Sequence, residues 1–269
     1  MTLFITMNAA DLRFQEMNSG NLISIYVADF FKGYSNDSLH IIERVCWWAH
    51  IIGILIFMNY LYFSKHLHIL LAFPNTYFAK LNNLGEINNL KSVTKEVKLM
   101  MDPDMAFSND DTDSEEIEKF GASDVMDLNK LQLLNSYSCT ECGRCTSVCP
   151  ANITGKKLSP RKIMMDTRDR IEEVGKNIDM NKDVFVPDGK SLLNDYISKE
   201  ELWACTSCNA CVEECPISID PLSIILDMRR YLVMEESSAP LELNNMMSNI
   251  ENNGAPWPYN QMDRLNWKE

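Results

Sequence analysis

Eight of the nine cysteines stand in two quartets, Cys139, Cys142, Cys145, Cys149 and Cys205, Cys208, Cys211, Cys215, while Cys46 stands alone. Thiolates are soft ligands, suited to iron clusters and zinc. A disulfide framework is a poor reading of them. Pairs two residues apart suit metals better than bridges, and the N-terminal MTLFITMNAADLRF lacks the basic flank and cleavage pattern of a secretory signal. Both quartets read C-x2-C-x2-C-x3-C-P. Three thiolates this close in sequence can wrap three irons of a cubane, while the fourth, followed by proline, reaches a different cluster. Structural zinc needs one tetrahedral set per ion and has no use for a third cysteine between two C-x2-C pairs. The eight cysteines are therefore candidate ligands of two [4Fe-4S] clusters. The same rule predicts crossed sets, Cys139, Cys142 and Cys145 with Cys215, and Cys205, Cys208 and Cys211 with Cys149.

The elements that must hold these loops come as a repeat. CTECGRCTSVCP from Cys139 is matched by CTSCNACVEECP from Cys205, with Tyr137 and Trp203 in equivalent places before each. IMMDTRDR from Ile163 matches IILDMRRY from Ile224, the first copy having the longer loop after its last cysteine, Cys149. Ser159-Pro160 and Asp220-Pro221 put a capping side chain before a proline at the first helical position, so each copy predicts a helix after its quartet. In the first, Ile163, Met164, Thr167, Ile171 and Val174 form one stripe, and Gly175 is the expected end. Pro150 and Pro216 hold the chain off each cluster, and the small or polar Thr140, Gly143, Ser207 and Asn209 leave amides free to bond sulfur.

The stretch between Cys149 and Cys205 is mostly helix-patterned, which favours an all-α domain over a small sheet-based ferredoxin. Over about residues 125–235 the sequence resembles the α-helical ferredoxins, in particular the C-type iron-sulfur subunits of heterodisulfide reductase and related bacterial membrane iron-sulfur oxidoreductases. That resemblance implies an electron carrier working with a soluble redox partner, either similar to the B-type subunits of heterodisulfide reductase or a flavoprotein.

Upstream, VCWWAHIIGILIFMNYLYF contains no Asp, Glu, Lys or Arg and comes close to the ~20 residues that span a bilayer as a helix. Trp47 and Trp48 near one end and Tyr60 and Tyr62 near the other stand where interfacial aromatics belong. A buried core helix is the alternative, favoured by His50 and Asn59. WWAHIIGILIFMNYLYFSKHLHILLAFP resembles the last transmembrane helix of the nitrate reductase gamma family of b-type cytochromes. The resemblance implies haem b ligation by His50 and His68, in a longer form of the protein that brings the second histidine of each pair. On one continuous helix those two would share a face ~27 Å apart. Basic residues flanking the run number three over residues 11–44 and five over 64–98, which leans the C-terminal side towards the cytoplasm.

The 269 residues carry a net charge of -13 with no basic stripe, which argues against a nucleic-acid partner. Nine acids against Lys119 alone lie between Met101 and Asp124. That segment reads as a solvated linker that cannot recover its ordering entropy. Residues 1–44 show a short apolar piece and then turn polar, so that a natural start upstream of Met1 is an expectation. Residues 236–269 read as an extended tail packed on its own domain. No phosphate loop, zinc-protease helix or paired-cysteine disulfide-cleaving motif is visible.

The expected organisation is all-α: a membrane-associated segment (1–100) with its transmembrane helix at about 45–63, an acidic linker (101–124), an α-helical ferredoxin domain with two [4Fe-4S] clusters (125–235) and a tail (236–269). The expected function is single-electron transfer between a membrane cytochrome or quinone pool and a soluble partner, with the clusters on the cytoplasmic side of the cell membrane. A soluble iron-sulfur subunit of a succinate or glycerol-3-phosphate type dehydrogenase and a non-redox metal scaffold are the competing readings.

Overall fold

The computed structural model describes residues 1–16, 21–64, 66–101 and 119–268. Among these the chain is helical without a strand, apart from an isolated bridge between Leu193 and Ile197. It divides into two compact units, Met1–Leu67 and His68–Glu269.

The first unit contains α1 (Thr2–Phe14), α2 (Ser24–Ala28) and α3 (Asn36–Tyr62). Ser35 caps α3, its hydroxyl accepting the Ser38 N–H at 3.3 Å, and a tightened turn ends it, where the Phe63 N–H bonds the Tyr60 carbonyl at 3.0 Å. Its 27 residues extend ~40 Å at the α-helical rise, long and apolar enough to cross a membrane. Ile52, Leu55, Ile56 and Met58 along it are exposed. The first residues of the chain form a packed helix. Ala9, Ala10 and Leu12 are buried in α1, which lies along α3, and small side chains allow that close approach. Arg13 fastens the end of α1, donating to Asp29 at 2.6 Å and to the Ala28 carbonyl at 3.0 Å.

The stretch from Trp47 to Pro74 that carries the cytochrome resemblance is not one helix. α3 stops at Tyr62, Ser64 turns its hydroxyl back onto the Leu61 carbonyl, and α4 (Leu67–Tyr77) starts afresh. His50 and His68 accordingly stand on separate helices, α3 and α4.

The second unit continues with α5 (Lys91–Met101) and a short 3-10 turn (Val125–Asp127). Then come α6 (Lys130–Ser138), α7 (Arg144–Ser147), α8 (Pro150–Ile153), α9 (Pro160–Met180), α10 (Lys199–Ala204), α11 (Ala210–Glu213), α12 (Pro221–Met234) and α13 (Leu241–Asn253). The long helices α9 and α12 pack together, α6 lies on both and α10 on α12. Both start as the Ser-Pro and Asp-Pro pairs direct. Ser159 accepts the Lys162 N–H and Asp220 the Ser223 N–H, with Pro160 and Pro221 in the first turn. The predicted stripe is inside: Ile163, Met164, Thr167 and Val174 are buried and Ile171 packs against them. Gly175 does not end α9. The helix continues to Met180, with Ile178 against the core and the Asn181 N–H closing the last turn on the Asn177 and Ile178 carbonyls.

Arg170 shares that buried stripe with its side chain fully covered. Its guanidinium donates to both Asp124 carboxylate oxygens (2.7 Å at the shortest), to Asp188 (2.5 and 3.0 Å) and to the Lys190 carbonyl (2.8 Å). Asp124 in turn accepts the Leu192 N–H, tying residues 123–124 to 191–193. The acidic linker falls outside the described residues over 102–118; of residues 119–124, Ala122 is part of the core. Gly121 adopts φ +78° against α12, where a Cβ would lie 2.2 Å from the Asp227 carbonyl oxygen, and the next residue, Ala122, donates its N–H to that same oxygen at 3.0 Å. The C-terminal residues are helical rather than extended. α13 is closed by Gly254 in a left-handed cap and followed by a 3-10 stretch, Gln261–Lys268.

Candidate metal centre

The two cysteine loops have the same backbone. In the first, Glu141 (φ 61°) and Gly143 (φ 82°) are left-handed, and in the second, Ser207 (φ 55°) and Asn209 (φ 60°) occupy the equivalent places. Two left-handed residues so close together curl each loop around its cysteines and turn backbone N–H groups inward. The Ser207 N–H reaches Cys205 Sγ at 3.4 Å, and the Glu141 N–H bonds Cys139 in the other copy. Such bonds stabilise thiolates. Gly143 and Asn209 are the residue types that accept this conformation most readily. The sequence pointed to Gly143, Ser207 and Asn209 as open positions, whereas the strain at Glu141 had no visible signal.

After each loop a single helical turn, α7 or α11, carries the third cysteine, and the fourth precedes a proline. The fold then exchanges the fourth cysteines. Cys139, Cys142 and Cys145 line a cavity of about 260 Å3 together with Cys215 of the second quartet, with Cys211 also on its wall. Cys205, Cys208 and Cys211 line a tighter cleft together with Cys149 of the first. The remaining walls are mostly apolar, with Met164, Ile217 and Ile219 in the cavity and Leu158, Leu222 and Ile225 in the cleft, and neither contains a carboxylate. Arg144 and Arg161 are the cations at the cavity. Soft thiol donors, low-polarity walls and nearby cations fit a net-anionic iron-sulfur cluster. Among the described residues no three Cys, His, Asp or Glu side chains converge as a single ion would require.

Burial pushes the Cys139, Cys145 and Cys205 thiols up, and that of Cys211 up to about 12, with neighbouring thiols adding to the effect. Left to themselves these groups would hold their protons at neutral pH, so bound metal is what would make them thiolates. Cys142 and Cys208, the second residue of each quartet, are exposed, whereas Cys149 is buried. Each set thus includes one exposed cysteine.

The two histidines part company. His50 sits in α3 of the first unit with its ring 5.8 Å from that of Phe4. His68 lies in α4 of the second unit, on the wall of the larger cysteine cavity beside Ala72. α4 is held there by Asn75, which donates to the Ile217 carbonyl at 2.8 Å. Sequence reasoning missed this placement because it treated His68 as part of the apolar run. It missed also the paired arginines, Arg168 and Arg229, that reach back from α9 and α12 to the loops. Arg168 donates to Glu141 at 2.6 Å, and Arg229 to the Leu202 and Cys205 carbonyls.

Residues 138–219 match the 4Fe-4S dicluster domain family. The chain is 30% identical to a probable iron-sulfur-binding oxidoreductase, FadF, of Bacillus subtilis, over 90% of this chain and 36% of that protein. It is 30% identical to an EtfAB:quinone oxidoreductase of Syntrophomonas wolfei, over 89% of this chain and 33% of the relative. The C subunit of a ferredoxin/F420H2-dependent CoB-CoM heterodisulfide reductase from Methanosarcina acetivorans is 32% identical, over 44% of this chain and 60% of its own length. The chain spans about a third of the first two relatives. It carries a [4Fe-4S] dicluster domain related to that of the heterodisulfide reductase C subunits and of iron-sulfur oxidoreductases.

Proposed function

We propose that this dicluster-bearing chain is the electron-transfer part of a membrane-anchored oxidoreductase, passing single electrons between a membrane cytochrome or quinone pool and a soluble redox partner. The observation that carries the reading is the exchange of Cys149 and Cys215 between the two cysteine groups. Cys211 lines both cysteine-lined spaces, so two clusters held there would be neighbours, which is the arrangement a relay needs and a scaffold does not. We assign Cys139, Cys142, Cys145 and Cys215 to one cluster and Cys205, Cys208, Cys211 and Cys149 to the other.

A bound [4Fe-4S] cluster supplies reversible one-electron chemistry. The chain's own residues do the rest. The thiolates of the eight cysteines would hold the clusters, and the inward amides of Glu141 and Ser207 would offset their negative charge. The apolar walls exclude water, and the exposed Cys142 and Cys208 mark the faces where a partner can approach. α3, uncharged from Val45 to its end and exposed along its apolar side chains, is the proposed anchor, with the dicluster domain on the cytoplasmic side. By analogy with the quinone oxidoreductase relative, quinone is the membrane-side reactant, and the resemblance to heterodisulfide reductase C subunits implies a soluble partner that is a flavoprotein or similar to the B subunits. Substrate chemistry needs a site that handles two electrons, and a partner holds it. Haem b on His50 and His68 is a proposal only for a longer form that supplies further histidines.

Purified anaerobically, the chain is expected to bleach reversibly in the visible when dithionite is added and to be reoxidised by an artificial acceptor. It should turn over no quinol, disulfide or hydroxy acid until a second protein is added. Steady turnover of such a substrate by the isolated chain would overturn the relay reading.

A further inference from the structure

The two copies of the repeat place an arginine at the same point, Arg168 in α9 and Arg229 in α12, and each reaches the loop after the first cysteine of its own quartet. Their surroundings differ in charge. Arg168 Nη2 bonds the Glu141 carboxylate at 2.6 Å, so that within this loop the cation is neutralised. The place of Glu141 is taken in the second loop by Ser207, whose hydroxyl accepts from Arg229 Nη1 at 3.4 Å. The remaining Arg229 donors go to uncharged carbonyls, Leu202 and Cys205, and its guanidinium carbon lies 4.9 Å over the Trp203 ring. Asp220, the carboxylate that acts on this quartet through Cys211, is engaged as the cap of α12, accepting the Ser223 N–H at 3.0 Å. Arg229 is thus a half-buried cation, unpaired by any carboxylate among the described residues, set directly on the main chain of Cys205. Burial disfavours its charge, lowering its pKa from the ordinary arginine value, and the Cys205 sulfur opposes that effect.

We infer that Arg229 raises the reduction potential of the cluster that Cys205 would hold, and that the Glu141/Ser207 difference at equivalent positions, alongside Arg144 and Arg161 at the other site, sets the two clusters apart. The physical ground is simple: one-electron reduction adds a negative charge to the site, and an uncompensated cation in a low-dielectric wall favours the reduced form more than an ion pair does. Arg229 acts as a positioning and charge residue, without ligating iron. The inference rests on the dicluster reading above.

The test is a potentiometric titration followed by EPR and visible absorbance, with iron and sulfide counted in every sample so that a missing cluster, which would fail the dicluster reading, is told apart from an unmoved potential. Arg229→Gln should make reduction of one cluster about tenfold less favourable, about 59 mV for one electron. Arg229→Lys, which keeps the charge, should stay near wild type. Ser207→Glu, which gives Arg229 the carboxylate that Arg168 already has, should lower the same midpoint without removing any packing, and remains informative if Arg229→Gln loses its cluster. Glu141→Ser should raise the other midpoint. If Ser207→Glu and Arg229→Gln hold full iron yet leave both midpoints unmoved, Arg229 is merely a brace for the 202–207 turn and the inference is wrong.

Discussion

Replacing Arg170 by methionine keeps the length and apolar stem of the side chain and removes its charge. The structure sets the cost. The wild-type guanidinium has no solvent exposure and makes five hydrogen bonds to the Asp124 and Asp188 carboxylates and one to the Lys190 carbonyl, with Glu173 at 3.7 Å. In the variant Asp124 and Asp188 face each other across a dry side chain, and the Lys190 carbonyl loses its donor. Breaking a buried ion pair from one side costs ~3–5 kcal/mol. The Asp124 and Asp188 side chains keep 17% and 25% exposure, so water and proton uptake recover part of this and place the expected loss near ~3 kcal/mol. For a unit of this size that corresponds to a fall in Tm of ~6–12 °C. Because Asp124 also fixes the Leu192 amide, the loss should be cooperative with the 191–193 turn. Arg170→Lys, restoring charge without the planar fork, should recover less than half. The assay is anaerobic thermal unfolding by circular dichroism with cluster absorbance followed in parallel. A Tm within about 2 °C of wild type for Arg170→Met, at full iron content, would refute the view that this network fastens the 119–124 and 188–193 segments to α9.

Gly121→Ala should cost ~2–4 kcal/mol, since the added methyl meets the Asp227 carbonyl and φ is +78°, and chemical denaturation measures it; a loss below about 1 kcal/mol would contradict the close approach. Arg170 holds the Asp188 carboxyl down at about 2, below the ordinary 3.8, so its stabilising contribution is complete above pH ~4 and fades as pH falls towards 2. The stability gap between wild type and Asp188→Asn should therefore close over that window, and a gap independent of pH would remove the linkage. With α3 as an anchor the chain should stay in membranes through an alkaline carbonate wash, and replacing Ile52, Leu55 and Ile56 by lysine should release it; intact wild-type chain in the supernatant would restore the core-helix reading.

What the sequence showed well was chemistry with fixed spacing. The cysteine quartets, the Ser159-Pro160 and Asp220-Pro221 starts and the stripe from Ile163 to Val174 are local patterns, and local physics realises them. Long-range consequences were hidden. Arg170 meets Asp124 and Asp188 from distant parts of the sequence, although its place on the apolar stripe of α9 was a sign that it is buried. Gly121 sat in a charge run that read as solvated, and only α12 arriving from the other end of the domain makes a glycine necessary there. Gly175 misled because a glycine inside a helix is tolerated when the residues on both sides are held by a core. His50 and His68 were read on one helix because hydropathy does not register the break at Phe63 and Ser64.

The central claim is that two [4Fe-4S] clusters are ligated across the repeat, and Cys149→Ser tests it most directly. Cys149 is the last cysteine of the first quartet in sequence but lines the cleft of Cys205, Cys208 and Cys211 in the fold. Wild-type protein should contain about eight irons per chain and no stoichiometric zinc. In the variant, EPR of the reduced protein should show the cluster of the second motif altered or lost, the same signal that Cys205→Ser perturbs, with the signal sensitive to Cys139→Ser intact. If Cys149→Ser instead alters only the signal that Cys139→Ser alters, each quartet holds its own cluster and the crossed arrangement is contradicted.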